Sequence, residues 1–404
     1  MVEATASGHD GVGGDSSVRP FSIVVSDAAV DELRRRLQAT RWPDPATVED
    51  WSQGVPLPYL QELCRYWATE YDWPVRQARL NGVEQFRTEL DGVAIHLLHV
   101  RSPQPQALPL VLTHGWPGAV WEFLDVLGPL TDPVAHGGDP YDAFSVVAPS
   151  LPGYGWSGKP TGPGWGPARI ADAWAELMTR LGYRHFGTQG GDWGSIVSTH
   201  LGARHPHRVV GVHLNLVLAP PPAARTQLSE REQLSEREQR GLHAAEHYRT
   251  VDSGYAVQQR TRPQTLGYGL ADSPAGQCAW ILEKFWSWTD CAGDPVATLG
   301  ADRILDIVST YWFTNSAASS ARLYWETARD PAAGRLTMPV PTGVSLFPHE
   351  LFQPVPQWAA AQYPDIRLWR EHDAGGHFAA MEQPQLLITD IREFFRPLRG
   401  KELA

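Results

Sequence analysis

The sequence has few cysteines, no long hydrophobic run and a deficit of basic residues. Three cysteines in 404 residues, at spacings that match no zinc motif, exclude a disulfide framework and favour a reducing compartment, so we expect a cytoplasmic protein. The lack of 18 consecutive apolar residues predicts no membrane span, and the N-terminus lacks the apolar segment of a signal peptide. A net charge of −11 argues against nucleic acid or anionic membrane as a partner.

Hydrophobic periodicity changes along the chain and divides it into segments. Residues 1–18 predict a flexible tail, and residues 19–105 predict an N-terminal region of amphipathic helices followed by a strand pair that turns at Asp91-Gly92. Short apolar strands then alternate with helices over 106–218 and 336–404, which predicts a mostly parallel sheet with helices on both faces. The helical block between them, residues 219–335, predicts a lid over a substrate site. It contains a charged repeat, LSEREQ, at 228–233 and 234–239, which predicts a solvated helix without a chemical role.

The strongest local signal is the sequence Gly190-Gly191-Asp192-Trp193-Gly194, which follows an apolar strand and opens a helix. Small residues two positions before and after a reactive residue form a nucleophile elbow, here with Asp192 where esterases carry serine. An isolated motif of this kind more often marks a helix cap, and it is the rest of the sequence that favours a nucleophile.

Two further segments complete this pattern. His114-Gly115-Trp116-Pro117-Gly118 follows a strand where an α/β-hydrolase supplies one oxyanion-hole amide. We therefore expect the amides of Trp116 and Trp193 to form that hole. We expect His114 to support the loop, and Pro117 to fix a turn that is compatible with a cis peptide bond.

Downstream, the chain carries an acid and then a histidine in the order that this fold requires. Glu350 follows the predicted strand TGVSLF, and His377 lies in the glycine-flanked loop GGHF, so the order is Asp192, Glu350, His377. The rival candidates are His349 and His372, which lie outside such a loop, and Asp373, which is too near His377 and at the wrong strand end.

An aspartate nucleophile changes the reaction class. Its carboxylate is ionised at neutral pH and attacks an sp³ carbon to give an alkyl ester, which suits epoxides and alkyl halides. Opening an epoxide also needs a proton donor, and the lid tyrosines Tyr255 and Tyr324, at the two ends of the block, are suitable acids. Spacing alone does not exclude Tyr268 and Tyr311.

These motifs together resemble epoxide hydrolases of the microsomal type, and the resemblance extends over nearly the whole chain beyond the tail. It includes the N-terminal DELRRRL…TRWP and YWATEYDW, the central HGWPG and QGGDWGS, and the later DSPAGQCAWILEKFWSWTD and GGHFAAMEQP. The resemblance implies an α/β-hydrolase fold with a helical lid and an N-terminal extension. It also implies Asp192 as nucleophile, His377 as base, Glu350 as its acid partner, and Tyr255 and Tyr324 as the groups that activate the epoxide oxygen.

The resemblance implies an enzyme that needs no cofactor and no metal and acts on an epoxide and water. A homodimer is one assembly that we consider for it. Two alternatives stay open: a haloalkane dehalogenase, and a non-catalytic binding protein on the same fold. The 17 tryptophans favour a bulky or aromatic epoxide. The chain also resembles the epoxide hydrolases of antibiotic (enediyne-type) biosynthesis, with general detoxification as the other role.

Overall fold

The computed structural model describes residues 16–219, 234–330 and 336–400. Within these residues, one nine-stranded sheet has the order β1-β2-β3-β5-β4-β6-β7-β8-β9. Its strands are β1 (Arg19–Pro20), β2 (Gln85–Leu90), β3 (Val93–Val100), β4 (Leu108–Thr113), β5 (Phe144–Pro149), β6 (Phe186–Gly190), β7 (Val209–Leu214), β8 (Thr342–Leu346) and β9 (Ile366–Glu371).

The sheet is antiparallel from β1 to β5 and parallel from β5 to β9. The central strands β5 and β7 are buried along their whole length, because parallel strands joined by crossover helices are covered on both faces. The predicted mostly parallel sheet with helices on both faces is therefore confirmed. In such sheets, ligands bind outside the carboxyl ends of the strands.

Three helices of the N-terminal region lie between β1 and β2, and three helices of the core connect the strands from β4 to β7. This region contributes α1 (Asp27–Gln38), α2 (Leu57–Thr69) and α3 (Trp73–Asn81), and the core contributes α4 (Leu124–Thr131), α5 (Pro167–Arg180) and α6 (Asp192–Arg204). Ser26 caps α1, as its side chain accepts a hydrogen bond from the Ala29 amide. Short 3₁₀ turns lie at Trp51–Gln53, Val120–Phe123, Val134–His136, Pro140–Asp142 and Arg396–Leu398.

The lid lies between β7 and β8 and is entirely helical in its described part. It comprises α7 (Glu236–His247), a π-helical turn (Tyr248–Asp252), α8 (Gly254–Thr261), α9 (Pro263–Asp272), α10 (Pro274–Trp288), α11 (Pro295–Leu299), α12 (Ala301–Phe313) and α13 (Ala317–Thr327). After β8 follow α14 (Pro356–Ala359), α15 (Ala379–Glu382) and α16 (Pro384–Phe395). The first copy of the LSEREQ repeat lies outside the described residues, and the second opens α7, where Ser235 and Glu238 form a capping box.

The N-terminal region packs against the lid through a buried carboxylate. Asp306 of α12 is 2 % exposed and accepts hydrogen bonds from the hydroxyl of Tyr71 at 2.9 Å and from Nε of Arg76 at 2.8 Å. Because a buried carboxylate needs such partners, this contact fixes the N-terminal region and α12 relative to each other. No helix among the described residues has the length and apolar character needed to cross a membrane.

Candidate active site

The nucleophile elbow connects β6 to α6, and glycines make its geometry accessible. A Cβ added to Gly190 would lie 2.2 Å from the carbonyl carbon of Gly194, and one added to Gly194 would lie 1.8 Å from the carbonyl oxygen of Thr113. These positions therefore exclude any side chain. Asp192 has φ of +48°, a left-handed conformation that raises its carboxylate above the sheet at the start of α6.

Two backbone amides face the Asp192 carboxylate. The Trp116 amide donates to Oδ1 of Asp192 at 2.7 Å, and the Trp193 amide also hydrogen bonds to this carboxylate. Burial raises the pKa of Asp192 above its ordinary value, although the charge of His377 and the two amides act in the opposite direction. The peptide bond before Pro117 is cis. The two amides that the sequence predicts for an oxyanion hole therefore both hydrogen bond to the Asp192 carboxylate.

His114 supports this loop, and among the described residues no hydrogen bond joins its ring to the Asp192 carboxylate. Its Nε2 accepts from the amide of Leu151 at 3.2 Å, and its Nδ1 lies 2.9 Å from the carbonyl oxygen of Gly115. Burial lowers the pKa of His114 to about 4, so the ring is neutral. This placement agrees with a structural function for the residue.

The structure brings His377 between two carboxylates. Its Nδ1 lies 2.8 Å from Oε1 of Glu350, and its Nε2 lies 3.5 Å from Oδ2 of Asp192. Burial lowers the pKa of His377, but the charges of Glu350, Asp192 and Glu122 outweigh burial and raise it to about 9. Asp192, Glu350 and His377, predicted from chain order, therefore lie within one contact network.

The rival residues lie elsewhere. Nε2 of His349 is 3.3 Å from Asp290, and the His349 side chain is 51 % exposed. Nε2 of His372 is 2.6 Å from Asp390, away from the Asp192 carboxylate. Asp373 is exposed.

Two of the four candidate lid tyrosines lie against the oxyanion-hole residues. The Tyr255 ring stacks on Trp116 at 5.0 Å between centroids, and the Tyr324 ring packs edge-on against Trp193 at 4.7 Å. Both tyrosines are buried, and burial raises their pKa values well above 10. Tyr311 instead donates a hydrogen bond to the carbonyl oxygen of Gly118 at 3.0 Å, and Tyr268 is 71 % exposed.

Glu122 is a site residue that the sequence reasoning missed. Its Oε1 accepts a hydrogen bond from the Ala119 amide at 3.1 Å, and burial raises its pKa to about 8. With Asp192 and His377 it lines a small cavity of about 20 Å³, which has room for one water molecule. Its position four residues after the HGWPG motif was the available signal.

Tyr248 is a second residue that the sequence reasoning missed. It begins the π-helical turn, and its hydroxyl lies 3.3 Å from the hydroxyl of Tyr255. Asp252, at the other end of this turn, pairs with Nζ of Lys284 at 3.1 Å. Among the described residues, no group of three or more His, Cys, Asp or Glu side chains is arranged to hold a metal ion.

Comparisons with known proteins agree with this geometry. Residues 18–123 match the family described as "Epoxide hydrolase N terminus", and residues 109–249 match "alpha/beta hydrolase fold". A "Putative epoxide hydrolase" of Stigmatella aurantiaca is 54% identical over 95% of this chain and 86% of that protein. "Epoxide hydrolase 1" of Sus scrofa is 35% identical over 94% of this chain and 89% of that protein.

Solved structures give the same result. The juvenile hormone epoxide hydrolase from the silkworm Bombyx mori superposes with a TM-score of 0.87 at 32% identity, covering 96% of each chain. The Aspergillus niger epoxide hydrolase gives a TM-score of 0.85 at 33% identity, covering 95% of this chain and 97% of that one. Sequence and fold agree over almost the full length, and the chain belongs to the microsomal-type epoxide hydrolase family of the α/β-hydrolase fold.

Proposed function

We propose that this enzyme converts an epoxide to a vicinal diol through an alkyl ester on Asp192. The observation that carries the proposal is the placement of two buried tyrosines, Tyr255 and Tyr324, against the very residues whose amides hold the Asp192 carboxylate. A nucleophile and proton donors on opposite sides of one space are what ring opening requires.

In the first step, the Asp192 carboxylate attacks a ring carbon and the carbon–oxygen bond of the epoxide breaks. The ring oxygen takes a proton from Tyr255 or Tyr324, which leaves a phenolate and a hydroxyl on the new ester. Oδ1 of Asp192, which the Trp116 amide already holds at 2.7 Å, becomes the ester carbonyl oxygen. The ester therefore forms inside its own oxyanion hole.

In the second step, water attacks the carbonyl carbon of the ester. The cavity beside Asp192 and His377 is the site we assign to this water, with the Glu122 carboxyl group orienting it. His377 takes a proton from the water and returns it to the departing alkoxide of the diol. The Asp192 carboxyl group then loses its proton, the phenolate regains one, and the resting state is restored.

Alkylation itself prepares His377 for this step. In the resting enzyme the neighbouring carboxylates raise the pKa of His377 to about 9, so the imidazole is protonated at neutral pH. Ester formation removes the Asp192 charge, which lowers the pKa of His377 because one of its stabilising anions is lost. The imidazolium then releases its proton to solvent, so the neutral base is present after ring opening, and it regains a proton from solvent once Asp192 is ionised again.

The substrate we infer is a bulky or aromatic epoxide. The aromatic surroundings support this inference, since the Trp288 ring contacts both Tyr255 at 5.2 Å and His377 at 4.9 Å. The resemblance to enzymes of antibiotic (enediyne-type) pathways favours a biosynthetic role. A higher kcat/KM for stilbene oxide than for propylene oxide is the expected result, and the reverse order would contradict the inference.

The proposal is tested by replacing the two proton donors. Tyr255→Phe with Tyr324→Phe should slow diol formation from styrene oxide by about 10²–10⁴-fold, the usual contribution of a positioned general acid. Tyr268→Phe, on the exposed side of the lid, is the matched control and should be unchanged. Unimpaired diol formation by the double variant would refute the acid role, and chloride release from 1-chlorobutane would favour a dehalogenase.

A further inference from the structure

The hydroxyl groups of Tyr248 and Tyr255 lie within hydrogen-bonding distance of each other, and the two side chains differ in how deeply they are buried. Their oxygens are 3.3 Å apart, and either hydroxyl can donate. Tyr255 is 5 % exposed, whereas Tyr248 is partly exposed and packs its ring on Phe352 at 4.9 Å. A charge on Tyr248 is therefore less desolvated than a charge on Tyr255.

The π-helical turn that carries Tyr248 is anchored at its other end by a buried carboxylate. Asp252 is 7 % exposed, accepts a hydrogen bond from Nε1 of Trp288 at 2.5 Å, and pairs with Nζ of Lys284 at 3.1 Å. The Lys284 ammonium also lies 4.7 Å from the centre of the Tyr255 ring. This contact is a cation–π interaction, which ties Lys284 and the Asp252 end of the turn to the Tyr255 ring. π-Helical turns occur often at functional sites, where the extra residue changes which side chains meet.

Other titratable groups also face the pair. Tyr324 from α13 and Asp192 from the core act on Tyr255, and Arg260, Asp252 and Asp192 act on Tyr248. Arg260 favours the phenolate form of Tyr248, and the two aspartates oppose it. Of these groups, Asp192 acts on both phenols, whereas Asp252 and Arg260 act on Tyr248.

We propose that Tyr248 is a positioning residue that relays a proton to Tyr255 during ring opening. This inference rests on the proposed function, because it requires Tyr255 to be a proton donor. Tyr255 gives its proton to the epoxide oxygen as the carbon–oxygen bond breaks. Tyr248 then gives its hydroxyl proton to the Tyr255 phenolate, and solvent water restores the proton on Tyr248, so the charge leaves the buried phenol.

The pKa values of the two phenols agree with this direction of transfer. Burial raises the pKa of Tyr255 well above 10, and it also raises that of Tyr248, but there the hydrogen bond with Tyr255 acts to lower it. The pair therefore loses its first proton more easily from Tyr248.

The test measures ring opening alone. In a His377→Gln background, in which the ester cannot be hydrolysed, rapid quench and intact-protein mass spectrometry follow ester formation from styrene oxide. Tyr248→Phe should slow ester formation about ten-fold, the effect of losing one hydrogen bond to a charged group. Tyr268→Phe, also in the lid, is the control and should leave the rate unchanged.

Two further comparisons separate a relay from a structural effect. In a Tyr255→Phe background, Tyr248→Phe should have no additional effect, because the group it serves is gone. With Tyr255 present, Tyr248→Phe should move the alkaline limb of the pH profile to higher pH, since the first ionisation of the pair, at Tyr248, is lost and the more deeply buried Tyr255 then sets the limb. A structural role would not produce that shift.

The contrary outcomes are distinct. If Tyr248→Phe forms the ester at an unchanged rate while Tyr255→Phe forms it more slowly, the relay is overturned and the acid role of Tyr255 stands. If Tyr248→Phe slows ester formation equally in the Tyr255 and the Tyr255→Phe backgrounds, the relay is also overturned. An unchanged rate for Tyr255→Phe overturns the acid role of Tyr255 in the proposed function, and the relay with it.

Discussion

Replacing Glu350 with glutamine removes one charge from His377 and keeps nearly the same shape. The pKa of His377 rises from 6.5 to about 9, which corresponds to roughly 3 kcal/mol. A carboxylate about 4 Å away contributes about 4 kcal/mol at an effective dielectric constant near 20. The charge of Glu350, 2.8 Å from Nδ1, is therefore sufficient to account for most of the shift.

Glu350→Gln should act almost entirely on the second step. Without the anion, burial lowers the pKa of His377, and the imidazolium that forms on taking a proton from water is no longer stabilised, because the ring then faces a neutral amide oxygen. We expect ester hydrolysis to slow by about 10²–10³-fold. Ring opening should change far less, because the nucleophile and the tyrosines remain in place.

Rapid quench with intact-protein mass spectrometry separates the two steps. After mixing with excess styrene oxide, Glu350→Gln should accumulate ester to near one equivalent per enzyme. Glu393→Gln, which alters an exposed ion pair with Arg370, is the control and should turn over normally. If the variant showed no accumulated ester and a normal diol rate, the function assigned to Glu350 would be wrong.

The remaining predictions concern the water site and the contact between the N-terminal region and the lid. Glu122→Gln should slow ester hydrolysis about ten-fold and leave ring opening unchanged, since a carboxyl group that orients water contributes about one hydrogen bond; slowed ring opening in the same quench experiment would contradict this assignment. Asp306→Asn should lower the free energy of unfolding by about 3 kcal/mol, because it leaves Arg76 without its buried anion. Urea denaturation measures that loss, and a loss below about 1 kcal/mol would show that the contact is dispensable.

Much of the site is predictable because it is constrained locally. The glycines around Asp192 are required by close backbone contacts, so the elbow is visible as a motif. The order of Asp192, Glu350 and His377 follows from the order of strands in this fold. The periodicity of the apolar strands likewise predicts the parallel sheet, because both faces of these strands are buried.

Glu122 and Tyr248 were not predictable in the same way. The function assigned to Glu122 depends on a cavity that forms only when the Trp116 loop, the elbow and the His377 loop meet. Tyr248 reaches Tyr255 from a π-helical turn, and helical periodicity of 3.6 residues does not anticipate the extra residue in that turn. Spacing also could not choose among the four candidate tyrosines Tyr255, Tyr268, Tyr311 and Tyr324, because the choice depends on which rings face Trp116 and Trp193.

The central claim is that Asp192 becomes covalently alkylated. The most direct measurement is peptide mapping by mass spectrometry after His377→Gln has reacted with styrene oxide. The account predicts an adduct of one styrene oxide per chain, located on Asp192 and absent from Asp192→Asn. Diol formation without any adduct on Asp192, or an adduct on another residue, would contradict it.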